Sequence, residues 1–389
     1  MSEYQYYEFV AVDRPLDDRQ LRELRALSTR AQITPTSFVN EYHWGDFRGD
    51  PPVLMERYFD AFLYLANWGT HRLMFRLPAR VLNLETAQRY CDGDYVSARP
   101  AGDHVILDFQ SEDESGGWVE TGEGWLTSLV PARAELATGD LRALYLSWLL
   151  SAQSGELDDD EVEPPVPAGL RSLSASLSSL ADFLRIDADL LDVAATASKP
   201  LRVADLSEAV VARWVDRLPE REKNDLLVRV IQGDGGGVRT ELLRGLNGPA
   251  GTHAGHRTVG ELLTAAETHR VAREREAERQ RAEERAQREL AAATAREKRL
   301  ETVARQEERI WRQVSELIDT KKQSEYDSAV ALLEDLRAVG ERTDRAEQFE
   351  RRVQELRLTH RRKPSLIDRL DRAGLGQRSP ASAASSRSR

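Results

Sequence analysis

Cysteine is nearly missing from this chain. Cys91 stands alone, so no intrachain disulfide can form and no thiolate zinc site can be built. Lysine is scarce as well, six against 49 arginines, and nearly every positive charge is therefore a planar fork of N–H donors. No apolar run approaches the ~18 residues that a membrane span needs. The opening residues MSEYQYYEF have neither the basic stretch nor the apolar core of a secretory leader. These absences lead us to expect a cytoplasmic protein. A net charge of −11 argues against nucleic acid as a partner.

What is present is charge and helix-forming sequence. A length of 389 residues suits two or three domains. At 31% charged residues the chain is too polar for one compact globule, and the expected fold class is an α+β N-terminal domain followed by an all-α region with a long charged, coiled-coil-like helix.

Residues 4–12 read as a first strand. Asp17 followed by Gln20 has capping-box spacing, and the helix it opens puts Leu21, Leu24 and Leu27 on one face. Residues 33–42 read as a second strand. Asp50 ahead of Pro51 starts a helix with the stripe Leu54, Tyr58, Phe62 and Leu65, which Gly69 is placed to end. Leu73, Phe75 and Leu77 alternate with Arg72, Met74 and Arg76 as in a half-buried strand. Further strands are expected at 94–98 and 104–109, a Gly-rich hairpin between Trp118 and Trp125, and a closing helix at 138–152.

Residues 1–155 form the expected α+β domain. Residues 156–168 hold an acidic run with Pro164, Pro165 and Pro167, and read as a linker. A helical domain follows at 169–257, with helices near 170–184, 203–217, 219–231 and 238–246. Residues 258–322 read as a long helix. Within it Leu300, Val303, Ile310, Val314 and Leu317 make a heptad seam that Glu307 interrupts. A homo-oligomer through residues 286–318, or pairing of the seam with a neighbouring helix, is the expected use of that stretch, with a charged single helix that stands alone as the alternative. Residues 323–375 read as a helix pair joined at Gly340, with a short docking helix around Leu366, Ile367 and Leu370. The Ser-, Ala- and Arg-rich residues 376–389 are expected to be disordered.

The densest functional-looking stretch is ITPTSFVNEYHWGDFRGDPP at 33–52. It sets Glu41, His43, Asp46, Arg48 and Asp50 around Trp44 and Phe47. Carboxylates beside a histidine suit acid–base work or a divalent cation, and an aromatic beside arginine suits a binding surface. The plainer reading makes Asp46 and Asp50 turn and cap residues and Trp44 a packing residue. His71 and Arg72, at the head of a strand, are further candidates for the same surface. The Gly-rich segment QGDGGGVRTELL lacks the Lys-Ser or Lys-Thr pair of a phosphate loop and has no strand before it. His253, His256 and His269 have no cysteine nearby to complete a zinc site. No cofactor or metal is expected, and the leading expectation is a non-enzymatic interaction or scaffold component, with a ligand-binding or enzymatic N-terminal domain as the alternative.

The segments YYEFVAVDRPL, LRALSTRAQITPTSFVNEYHWGDFRGDP and FDAFLYLANWGTHRLMFRLP resemble a set of bacterial proteins with no assigned activity. The resemblance covers about the first eighty residues and implies no role for any of them.

Overall fold

The structure is a computed structural model that describes residues 4–91, 93–112, 121–201, 206–247 and 255–375. Most of the expected hairpin before Trp125, His253 and the tail 376–389 lie outside the described residues. The chain divides into two compact units, Met1–Glu274 and Arg275–Arg389.

The first unit begins with β1 (Gln5–Val10), α1 (Asp18–Leu27), β2 (Gln32–Ile33), β3 (Ser37–Tyr42), α2 (Pro51–Arg57), β4 (Ala61–Ala66) and β5 (Thr70–Pro78). It continues with α3 (Leu84–Gln88), β6 (Val96–Ala101), β7 (His104–Glu112), α4 (Trp125–Ala137) and α5 (Arg142–Gln153). Then come α6 (Ala175–Phe183), α7 (Ala188–Ala195), α8 (Glu208–Arg217), α9 (Glu220–Ile231) and α10 (Gly235–Asn247). The strands form a seven-stranded sheet in the order β2-β3-β1-β4-β5-β7-β6, antiparallel throughout.

Side chains alternate between two covered faces. On one face Phe9, Phe38, Phe62, Met74 and Ile106 pack with Leu24 of α1 and with Leu54 and Met55 of α2. On the other, Leu63, Leu65, Leu73, Phe75 and Leu107 pack with buried residues of α3 to α7. The capping box of α1 forms in both directions, Gln20 N to Asp17 Oδ1 at 2.8 Å and Asp17 N to Gln20 Oε1 at 2.9 Å.

Several expectations are corrected. The helix expected to run through Leu65 stops at Arg57, and residues 61–66 are strand β4. A strand covered on both faces needs no polar alternation, so its apolar run has the look of a buried helix face. Gly69, at φ 104°, turns the β4–β5 hairpin rather than ending a helix. The strand carrying Arg72 and Arg76 is not open to water on one side, since β5 lies inside the sheet and Arg76 is buried. Helix α4 has no counterpart in the sequence reading, and Pro131 lies within it.

Residues 156–168, expected as a linker, are packed into the first unit. Glu163 N donates to Arg257 O at 2.9 Å, Val162 bridges Thr258, and Pro164, Pro165, Val166 and Pro167 include buried positions. Gly255 sits so close to this segment that a Cβ there would lie 2.1 Å from Glu163 O.

Helix α11 (Val259–Arg305) starts in the first unit and continues into the second. The second unit adds α12 (Glu307–Asp319), α13 (Gln323–Arg342), α14 (Ala346–Thr359) and α15 (Pro364–Arg372). Its core joins Leu300 and Val303 of α11 to Trp311 and Val314 of α12, Leu333 and Leu336 of α13, Phe349 of α14, and Leu366 and Leu370 of α15. The C-terminal part of the heptad seam is thus occupied by helices of the same chain. Gly340 lies within α13 and not at its end, where it lets Phe349 approach with its Cβ 3.4 Å from the added-Cβ position. Asp344, at φ 56°, makes the turn into α14. Among the described residues no helix is long and apolar enough to cross a membrane.

Candidate functional site

The stretch after β3 is a loop whose parts point different ways. Asp50 caps α2 through Val53 N at 3.3 Å, with Pro51 at the first helical position. Asp46 accepts from Gln5 Nε2 at 3.1 Å, and Gly45 O accepts from the same nitrogen at 3.2 Å. Phe47 packs against Tyr7, Phe38 and Phe9 with ring centroids 5.1, 5.6 and 6.1 Å away. Trp44 does not pack inward. It is 68% exposed, and the Arg30 guanidinium lies 5.6 Å from its ring centroid. Arg48 is exposed.

Glu41 lies on the opposite face of the sheet from Tyr42. It pairs in register with Tyr6, so Tyr6 and Glu41 are side by side, with Glu8 two residues further along β1 on the same face. Tyr6 donates its hydroxyl to Glu8 Oε2 at 3.0 Å. Just before β1, Tyr4 accepts from Gly122 N at 3.1 Å through its hydroxyl, and its ring lies 5.7 Å from that of His43. Burial, and then the charges of Glu41 and Glu123, raise the Tyr4 phenol, against the pull of the Gly122 N–H. This face therefore gathers Tyr4, Tyr6, Glu8, Glu41, His43 and Glu123. Among the described residues none of its three carboxylates is in an ion pair.

No family model matches the chain, and no curated protein or solved structure is significantly similar to it.

His71 and Arg72 are neighbours that face apart. The His71 ring is buried and stacked on Phe183 at 4.8 Å. Its Nδ1 is 2.7 Å from Phe183 O, an atom that can only accept, so Nδ1 carries the proton. Nε2 then accepts from Arg185 Nη2 at 3.1 Å, and Arg185 also donates to Gly69 O at 2.7 Å. These contacts suit a neutral imidazole that fastens the hairpin to the end of α6. Arg72 is held by both oxygens of Asp108, at 2.9 and 2.6 Å, and the Asp108 bond, opposed by burial and helped by Asp50, raises its pKa.

The fold brings Glu41 and His43 together, and it sets Asp50 near Arg72. It does not bring His43, Asp46, Asp50 and His71 into one pocket. Sequence reasoning missed Tyr4, Tyr6, Glu8 and Glu123. The first three were legible, since they recur every second residue along a strand; Glu123 arrives from the segment before α4, which no local spacing reveals. Two surface grooves lie elsewhere. One of about 430 Å³ is lined by Arg80, Trp214 and Arg244, and one of about 610 Å³ by Arg296, Arg299 and Asp335. Among the described residues no three histidine, cysteine or carboxylate side chains are grouped to hold a metal ion.

Glu8 gives this face a measurable pH signature. Burial raises its carboxyl above the ordinary 4.5, the Tyr6 hydroxyl lowers it, and Glu123 raises it again, with a net rise. A raised acid favours the native state while protonated and loses that advantage as pH climbs from the unfolded value through the folded one. Glu8→Gln is therefore expected to melt higher than the wild-type chain at neutral pH, with the gap closing in acid. Thermal unfolding followed by circular dichroism checks this, and a variant that melts lower at neutral pH would refute it.

Proposed function

We propose that this chain is a non-enzymatic protein–protein interaction or scaffold component that self-associates, or sets a spacing, through α11, while the N-terminal sheet recognises a partner. The observation that carries the reading is the state of α11 between its two packed ends. Residues 278–299 are exposed at every position, and Leu290 is 69% exposed. A helix that is polar all round survives on local pairs or on a partner. Local pairs exist, Arg279 to Glu276 at 2.7 Å and Arg288 to Glu284 at 3.5 Å, yet each is worth only ~0.2–0.5 kcal/mol.

A coiled-coil role fits the spacing. Ala286, Ala293 and Leu300 fall seven residues apart, and the line runs from covered Leu300 to exposed Ala293 and Ala286. Contact through the section upstream of Leu300 leaves the second unit's own core intact. Sedimentation equilibrium of the full chain from low to high micromolar concentration tests this. The expected result is a mass rising above that of one 43.9 kDa copy, weakened by Leu290→Glu with no change in melting. A single-copy mass throughout, at low salt, would sink self-association.

A further inference from the structure

We infer that the β1–β3 end of the sheet, with Trp44, His43, Tyr4, Glu41 and Glu123, is a docking surface for an arginine-bearing segment of a partner protein. This deepens the recognition half of the proposed function and rests on it, but is independent of self-association through α11.

The surface combines two properties, an exposed indole and carboxylates outside any ion pair among the described residues. Trp44 is the most exposed tryptophan described, and an exposed indole costs free energy in water. Its ring already carries one guanidinium, that of Arg30 at 5.6 Å, so the geometry of a cation over this indole is on display. The residue before it, His43, is exposed, and its ring lies 5.7 Å from that of Tyr4. Next to these rings Glu41 and Glu123 are exposed and in no ion pair among the described residues, and Glu8 stands behind them. Aromatic faces with uncompensated carboxylates fit a planar cation on a flexible stem, which stacks on the rings and donates to the acids. A bare divalent ion fits less well, because the described carboxylates and histidines are not grouped for ligation. An arginine side chain carries its charge on a reach long enough to serve carboxylates that do not converge.

The test uses the full chain and a fluorescein-labelled peptide of alternating arginine and alanine, read by anisotropy at low salt. Binding is expected, with affinity falling about tenfold or more in Glu41→Gln/Glu123→Gln and severalfold in Trp44→Ala, as loss of charge-assisted bonds and a cation–π contact implies. Glu347→Gln/Glu350→Gln removes the same charge from exposed positions of the second unit and should bind as the wild type does. A glutamate–alanine peptide should not bind. All substituted residues are exposed, and unchanged melting confirms folding. Equal binding by all variants would show only general attraction to a chain of charge −11 and would overturn the inference, as would failure of the arginine peptide to bind. Sedimentation can fail while peptide binding succeeds, so the two ideas fall separately.

Discussion

Asp60→Asn is expected to cost about 3–5 kcal/mol of stability, the range for breaking a buried ion pair from one side. The side chains of Asp60, Arg76 and Arg133 are 1%, 7% and 7% exposed. Arg76 donates to Asp60 Oδ1 from Nη2 at 2.7 Å and from Nε at 3.1 Å. Asp60 Oδ2 accepts the backbone N–H groups of Val12 and Asp13 at 2.7 and 2.9 Å. Arg133 of α4 lies 3.9 Å from Asp60 and pairs with Asp13 at 2.6 Å. Removing the carboxylate leaves the buried Arg76 guanidinium without its ion-pair partner, while Arg133 keeps Asp13. Urea unfolding measures the loss, and a cost below about 1 kcal/mol would show the network to be replaceable.

The same group predicts a pH dependence. Burial pushes the Asp60 carboxyl up, but Arg133, the Asp13 N–H and Arg76 together hold it below its ordinary 3.8. A depressed acid contributes its full stability above the unfolded value and loses it as pH falls through the folded one. Wild type and Asp60→Asn should therefore approach each other in strong acid and differ most above about pH 4.

Glu163→Ala has the second large expected effect, about 3 kcal/mol or more for a buried carboxylate with a charged partner. Its side chain is 1% exposed and accepts from Arg257 Nε at 3.0 Å, Arg257 Nη2 at 2.8 Å and the Tyr145 hydroxyl at 3.0 Å. Limited proteolysis separates this from an ordinary stability defect. A free linker at 156–168 would be cut in both wild type and variant. The packed segment is expected to resist in the wild type and to be cut in Glu163→Ala and Arg257→Ala, because Glu163 holds it to residues 257–260. Rapid cleavage of the wild type there would overturn the prediction.

Much of this architecture was legible in local spacing. The Asp17–Gln20 box, the Asp50–Pro51 start and the Leu366/Leu370 stripe of α15 all rest on contacts within one turn of helix, and sequence spacing carries those. Strand β4 was not legible, because Phe62 and Leu65 are buried on opposite faces and give the period of neither element cleanly. The acidic run at 156–163 looked solvated because composition cannot reveal that Arg257, 94 residues on from Glu163, neutralises one member of it. At the candidate surface, spacing put Glu41, His43 and Trp44 together. It could not tell that Asp46 and Asp50 are consumed by Gln5 and by a helix cap, or that His71 lies under α6.

Cys91 sits beside Ser147 at 3.6 Å, fully enclosed, and burial pushes its thiol up to about 12. A disulfide reagent added to the native protein should therefore wait for the sheet's helical cover to open before it can react. The single sulfhydryl thus becomes a stopwatch for that opening, and any thiol introduced on the surface could be tagged selectively while this one stays silent.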